Sequence, residues 1–413
     1  MEVKPGYKMT EVGFIPDDWK AIALKVLGFD ISDGNYSSKY PKSSDFCDFG
    51  IPFIRANNIG KMKILDEDLR YISKAQHSGL LKGHLKKGDI LITTRGDIGQ
   101  VAFVPDGHVG SNINAQLVRI NTDNSLCNHR FLGYVLTFSS SQKQFENLQT
   151  GSALKQLPVG KLTSLVIPLP ASKAEQEAIA SALSDVDALI ESLEQLVAKK
   201  RNIKQGAMQE LFCPKIGWNT AKLGDLGTFS KGNGVRRDQS LSGDLPCIRY
   251  GEIYTQHDNF VKEFYSWISP EVAASARRLR QGDILFAGSG ETKEEIGKCV
   301  AFVEDVEAYA GGDIVILSLA FGDSLFWGYC LNTSSVCRQK ASRGQGDAVV
   351  HITASALAEI EVTFPSVQDQ RNIATVLFDM DVELASLESK LTKARHLKQA
   401  MMQELLTGRI RLV

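Results

Sequence analysis

The chain has 413 residues, 47 Lys+Arg against 48 Asp+Glu, 43% hydrophobic and 23% charged content, seven Cys and four Trp. That composition excludes a collagen, a disordered tail protein and a disulfide scaffold, and at roughly 100–200 residues per domain the length predicts two or three domains. No run of about 18 apolar residues occurs, and the first residues carry charges where a signal peptide needs an apolar stretch, so the expected location is the cytoplasm, with no membrane partner.

Residues 1–158 are rich in short β-branched runs cut by Gly, Asn, Asp and Pro, at 51–54, 90–94, 101–104 and 117–120, with a helical pattern near 130–147. Such runs read as strands, and the expected fold class is α+β with a mainly antiparallel sheet. The loops carry Asn35, Tyr36, Ser37, Lys39, Tyr40 and Lys42, then Arg55, Asn57 and Asn58, then Thr93, Thr94 and Arg95, and later Lys155. Such side chains bridge phosphates and read base edges, Arg suiting guanine and Asn or Gln suiting adenine. Each taken singly is more often a solvated loop residue. The 19 Lys+Arg against 16 Asp+Glu of this segment give a mildly basic balance.

Residues 159–218 begin with an apolar exit strand around Pro168-Leu169-Pro170 and continue as one long helix. Ile179, Leu183, Val186, Ile190, Leu193 and Val197 follow steps of 4, 3, 4, 3 and 4, the seam of a coiled coil. About 37 residues at 1.5 Å each predict a rod of about 55 Å. Acids come early (Glu175, Glu177, Asp185, Asp187) and bases late (Lys199, Lys200, Arg201, Lys204), an order that complements the helix dipole and suits pairing across an antiparallel seam.

Residues 219–363 read as a second α+β unit, with runs at 247–249, 284–287, 299–303 and 314–319 and helical patterning near 324–340. Its candidate binding residues are Lys231, Asn233, Arg236, Arg237, Arg249, Tyr250, Arg343, Gln345 and His351. With 14 Lys+Arg against 19 Asp+Glu, this unit alone is expected to bind DNA feebly. Residues 364–413 give a second long helix. Ile373, Leu377, Met380, Leu384, Leu387, Leu391 and Ala394 hold the same phase, and Leu397, Met401 and Leu405 are expected to continue it after a slip.

The two halves are copies. Residues 175–211 reappear at 369–405 with an offset of 194, closest at Lys204–Leu211 against Lys398–Leu405. Ile51-Pro52-Phe53-Ile54-Arg55 parallels Leu245-Pro246-Cys247-Ile248-Arg249, and Gly88-Asp89-Ile90-Leu91 parallels Gly282-Asp283-Ile284-Leu285. Val101-Ala102-Phe103-Val104 recurs as Val300-Ala301-Phe302-Val303, so about five residues are inserted near 289–297. The expected architecture is a pseudo-two-fold repeat of [globular unit, long helix] with the helices pairing as an antiparallel coiled coil. Close helices and divergent globular units suit one shared task and two different ones.

Enzyme machinery is missing from the sequence. No Gly-Lys pair is followed by Ser or Thr, no two prolines are adjacent, and no HExxH or His-x-Glu zinc signature occurs. Asp17-Asp18-Trp19-Lys20 lacks the spacing of a nuclease motif, and the seven scattered cysteines read as reduced thiols, most of them in the core. No metal site and no catalytic residues are expected.

Trp19 and Trp218, Lys87-Gly88-Asp89-Ile90-Leu91 and Gln281-Gly282-Asp283-Ile284-Leu285, the turn Gly151-Ser152-Ala153-Leu154-Lys155-Gln156-Leu157, and the helix endings Lys204–Leu211 and Lys398–Leu405 followed by Leu406-Thr407-Gly408-Arg409-Ile410 together make the chain resemble the DNA-specificity (S) subunit of type I restriction-modification systems. The resemblance covers nearly the whole chain. It implies two target-recognition domains, residues 1–158 and 219–363, separated by the conserved spacer helices of 159–218 and 364–413. It also implies a non-catalytic reader of a bipartite asymmetric site on double-stranded DNA, docked to two methyltransferase subunits and to restriction subunits. S-adenosylmethionine, ATP and Mg would then belong to those partners, with no cofactor in this chain, and Lys204, Gln205, Gln209, Lys398, Gln399 and Gln403 are candidate partner contacts. The second copy of the turn departs from the first, with Asp347-Ala348-Val349-Val350-His351-Ile352 and no lysine. The competing expectation is a protein-binding scaffold, or a degenerate specificity subunit without DNA recognition.

Overall fold

The computed structural model describes residues 5–34, 39–123, 125–346 and 348–412. The chain divides into two compact units, Met1–Glu194 with Lys390–Val413, and Gln195–Ser389. The repeat boundaries fall elsewhere, because each long helix, Lys173–Leu211 and Val367–Leu405, contributes one half to each unit.

In the first unit a four-stranded antiparallel sheet runs in the order Val101–Phe103, Ile90–Thr93, Leu117–Asn121, Asp30–Asp33. Both its faces are buried, so the β-branched run at 90–93 has no polar side. Ile90, Ile92, Val118 and Ile120 point to a core shared with Phe131, Leu132, Val135 and the start of the long helix, while Leu91 and Leu117 point to a second core with Ile54, Leu85 and Ile113. The second core is closed by a three-stranded sheet in which Asn112–Ile113 pairs in parallel with Ile51–Ile54, and Ile51–Ile54 pairs antiparallel with Arg70–Ile72. The helical pattern near 130–147 proves to be two helices, His129–Thr137 and Ser139–Leu148. Phe138 between them is extended (φ −73°, ψ 149°), a break that apolar periodicity alone does not announce.

The second unit repeats this plan. Its four-stranded antiparallel sheet runs Gly227–Lys231, Ile314–Leu319, Ile284–Ala287, Cys299–Ala301. The strand Leu245–Ile248 again has an antiparallel neighbour, Ser266–Ile268, and a parallel one, Tyr309–Ala310. The pattern near 324–340 also splits, into Ser324–Cys330 and Ser334–Arg343. Cys127, Cys247, Cys299 and Cys330 are buried free thiols, and burial pushes each up to about 12, so they behave as small apolar side chains.

The long helices begin alike. The Ser172 hydroxyl accepts from the Ala174 amide, and the Ser366 hydroxyl accepts from the Asp369 amide, each an N-cap. One turn on, the buried Gln176 receives the Asn128 amide and donates to the carbonyls of Leu126 and Pro170, and the buried Gln370 receives the Asp323 amide and donates to the carbonyl of Pro365. Each glutamine thus stitches its helix to the cap of a helix in the globular layer. Ile179 and Leu183, and likewise Ile373 and Leu377, lie inside globular cores, so the seam proper begins after them. Leu384, Leu387, Leu391 and Ala394 are buried as expected, whereas Leu397 is 51% exposed. The stripe skips Leu397 because Lys398, one residue on, turns inward to a carboxylate.

That inward turn is made once in each unit. Lys398 pairs with Asp187 at 2.7 Å, and the same carboxylate accepts from the Tyr134 hydroxyl at 2.9 Å. In the other unit Lys204 pairs with Asp381 at 2.5 Å, and Asp381 accepts from the Tyr329 hydroxyl at 2.6 Å. Further pairs, Arg395 with Glu194 in the first unit and Lys200 with Glu383 and Arg201 with Glu388 in the second, join early acids of one helix to late bases of the other, which sets the two helix halves in each unit antiparallel. The first unit is also fastened at its termini. Arg411 lies over the Trp19 ring and bridges Asp18, at 2.9 Å, and the buried Glu175, while the Tyr7 hydroxyl donates to the carbonyl of Gly408.

Asp381 is the more enclosed of the two shared carboxylates, its side chain 7% exposed against 35% for Asp187. Asp381→Ala is therefore expected to destabilise the protein by roughly 3–5 kcal/mol, because it strands a buried ammonium and a buried hydroxyl. Asp187→Ala is expected to cost clearly less, since water reaches its partners. Urea unfolding of the two variants beside the parent checks the order.

Candidate nucleic-acid interface

The four-stranded sheet of each unit has one end at which five loops meet, and backbone hydrogen bonds show why. In the first unit Gly34, where the strand Asp30–Asp33 ends, donates to Leu117; Thr94 donates to Gln116; Asn114 donates to Ile54; and Leu157 donates to Thr94. The segments around 34, 55, 94, 115 and 156 are thereby tied together. In the second unit Gly232 donates to Ile314, Gly288 to Asp313, Gly311 to Ile248 and Ile352 to Gly288, which ties the segments around 232, 249, 288, 312 and 351 in the same way. At Gly34 and Gly232 a Cβ would lie 2.2 and 2.1 Å from a neighbouring carbonyl oxygen, so no other residue permits these approaches.

Most sequence-predicted binding residues lie on these loops. Asn35, Tyr36 and Ser37 fall outside the described residues. Lys39, Tyr40 and Lys42 line a depression of about 440 Å³ with Asp45 and Gln76, where the Tyr40 ring stands edge-on to Phe53. Arg55 reaches Asp68 at 2.8 Å and holds that carboxyl below the usual carboxylate range, and exposed Asn57 lies at the same corner. Lys155 is exposed. In the second unit Lys231, Asn233, Arg236, Arg237 and Tyr250 are exposed, Arg249 is half-buried at the start of the helix Tyr250–Thr255, and Gln345 and His351 are exposed.

Three predicted residues are corrected by their surroundings. Asn58 is fully buried; its side chain receives the Arg55 amide and donates to the carbonyls of Leu65 and Glu67, which leaves it no face for a base. Thr94 is 5% exposed and its hydroxyl donates to Gln116. Arg343 spends its guanidinium on the carbonyls of Gln339 and Glu359. Among the candidate partner contacts, Gln205, Gln209, Gln399 and Gln403 are exposed, whereas Lys204 and Lys398 are occupied by Asp381 and Asp187.

Sequence reasoning missed one basic cluster. Arg277, Arg278 and Arg280 line a depression of about 710 Å³ together with Gln281, Asp305 and Glu307. The Arg-Arg-Leu-Arg run was the available signal, and the acidic balance of the unit masked it. Among the described residues no group of three or more His, Cys, Asp and Glu is placed to hold a metal, and no helix is long and apolar enough to cross a membrane.

The chain belongs to the family of type I restriction-modification specificity subunits: the family's "Type I restriction modification DNA specificity domain" matches residues 16–200 and again 215–394. Similar proteins include the putative type I restriction enzyme MjaX specificity subunit of Methanocaldococcus jannaschii, 25% identical over 98% of this chain and 96% of the relative. The MjaVIII specificity subunit of the same organism is 28% identical over 51% of this chain, and there the match spans about half of the relative's length, 49%. Among solved structures, the S subunit of the type I system from M. genitalium aligns over 98% of both chains with a TM-score of 0.61 at 16% identity, a likeness of fold.

Two predictions follow from these environments. Asn58→Ala is expected to destabilise the first unit by about 1–3 kcal/mol through unsatisfied backbone groups, without altering any DNA preference; thermal unfolding measures the first and methylation patterns the second. In the second unit His257, just past the end of the helix Tyr250–Thr255, is 2% exposed, and burial with the nearby Lys298 and Lys262 charges lowers it to about 4. The unfolded chain therefore binds a proton near pH 6.5 that the folded one refuses. Stability should fall as pH drops from about 6.5 toward 4, by about 3 kcal/mol in all, and His257→Phe should flatten that slope in urea titrations.

Proposed function

We propose that the chain is a non-catalytic reader of double-stranded DNA that recognises a split, asymmetric site, each unit reading one half, while the paired helices offer a platform to two methyltransferase subunits and, through them, to restriction subunits. The observation that carries this reading is the doubled loop end. One backbone frame is built twice, from the same strand ends and the same close glycine approaches, and it presents different side chains each time. A frame kept constant while its surface residues diverge suits two readers of different sequences. Family membership supports the setting, and S-adenosylmethionine, ATP and Mg belong in this reading to the partners, as does catalysis. The acidic balance of residues 219–363 is what favours the rival reading, a protein-binding scaffold, for the second unit.

Two expectations separate the readings. Because neither unit is strongly basic, the isolated chain should bind DNA weakly and with strong salt dependence, and methyltransferase subunits should tighten binding through added phosphate contacts. Gel-shift titrations with and without those subunits, at two salt concentrations, test this; tight specific binding by the chain alone contradicts it. Asn57→Ala, at the exposed corner beside Asp68, should change preference in one half-site only, as read by methylome sequencing. A change in both halves contradicts the modular assignment, and modification without sequence preference favours the scaffold.

A further inference from the structure

The turn that follows the helix Ser139–Leu148 in the first unit and Ser334–Arg343 in the second is the same object twice. In the first unit Thr150 and Gln156 exchange backbone hydrogen bonds of 2.8 and 2.9 Å, and in the second Gln345 and His351 exchange bonds of 2.9 and 2.7 Å. Gly151 and Gly346 hold φ of +92° and +108°, where a Cβ would collide with the carbonyl oxygen of Leu154 or Val349 at 2.4 and 2.1 Å. Each turn docks on the loop that leaves a central sheet strand, through the bridge Arg95–Gln156 in one unit and Ser289–His351 in the other. Each also pushes an aliphatic side chain outward, Leu154 at 88% exposure and Val349 at 51%.

Backbone hydrogen bonds shape both turns alike, and their side chains are what differ, Val350 of the second being packed in the core. Arg95 is replaced by Ser289, Lys155 by Val350 and Gln156 by His351, residue for residue on the same frame. In the first unit Arg95 donates to the Gln156 side-chain oxygen at 3.0 Å, which turns the glutamine's acceptor inward, so that guanidinium, amide nitrogen and the Lys155 ammonium form a set of donors. In the second, the buried Ser289 hydroxyl and the His351 Nδ1 share a hydrogen bond of 2.8 Å, which orients the exposed imidazole and leaves its Nε2 to meet a base. The major-groove edge of guanine presents two acceptors, N7 and O6, whereas that of adenine presents an acceptor beside a donor.

Resting on the reading of the chain as a DNA reader, we propose that these turns are specificity determinants: Arg95, Gln156 and Lys155 read the N7/O6 edge of a guanine in one half-site, His351, positioned by the buried Ser289, reads a base edge in the other, and Leu154 and Val349 make the apolar contact beside them. The first set matches acceptors only and rejects a base that presents an amino group there.

The test uses the full chain assembled with its methyltransferase subunits and measures methylation rates on duplexes in which every half-site position is substituted in turn. Arg95→Ala with Gln156→Ala should lose about 10-fold discrimination at one G·C pair of one half-site, in line with the loss of one bidentate contact. A 7-deazaguanine at that position should slow the parent and leave the variant unaffected. Ser289→Ala with His351→Ala should alter the other half-site alone. An assembled double variant with the parent's pattern, with changes in both halves, or with no modification of any duplex overturns the proposal, the last by making the turn a scaffold. A parent complex that shows no sequence dependence overturns the reading of the chain as a DNA reader, and this proposal with it.

Discussion

A carboxylate shared between a tyrosine of the globular layer and a lysine of the opposing helix fixes the geometry within each unit. The apolar seam of Val186, Ile190, Leu193 and Val197 has nearly the same contacts after a slip of one heptad. Asp187 and Asp381 do not, because each must meet both a hydroxyl and an ammonium at hydrogen-bonding distance. With three elements meeting at one oxygen pair, the rotation of the helix about its axis, its shift along the other helix and its seat on the globular layer are set together. Stability alone does not require such a pair, since apolar residues of similar volume often serve as well. What the pair adds here is register.

Register then seats the sheet of each unit on its helices. The helix that carries Asp187 also carries Gln176, whose side chain completes the cap at Asn128, and that cap starts the helix packed against Ile90 and Ile92 of the central sheet. The same chain of contacts runs from Asp381 through Gln370 to Asp323 and onto Ile284 and Phe286. The rigid layer is thus conserved between the units down to single hydrogen bonds. The loops at the sheet end and the side chains of one turn are among the places where the units differ.

Much of this is legible in the sequence because it rests on periodicity and repetition. The offset of 194 exposes the duplicated plan, the 4-3 steps the helices, and the β-branched runs the central strands. The order of charge along the helices even foreshadows which acids meet which bases. What stays hidden is the direction of individual side chains. Asn58 and Thr94 are polar residues at loop positions and look like readers, yet both are consumed in closing the backbone beneath the loop. Lys204 and Lys398 look like surface residues of a helix end, and only the placement of a carboxylate of the other helix beside a distant tyrosine explains why they turn inward. Leu397 continues an apolar spacing into water because the neighbouring lysine has taken the seam. Arg411, which joins Asp18 to Glu175 across nearly the whole length of the chain, leaves no local signature.

That last contact bears on the order in which the molecule takes shape during synthesis. The second unit is drawn from one uninterrupted stretch, Gln195–Ser389, and all its core residues are translated before residues 390–413. The first unit begins emerging earlier and yet lacks Leu405, Leu406 and the Arg411 clamp until residues 390–413 have followed the second unit. The half encoded first is therefore the half completed last, with Ile179 and Leu183 left without part of their packing in the interval. A nascent chain of this kind has reason to meet a chaperone, or a partner subunit, at its N-terminal domain rather than at the domain still being translated.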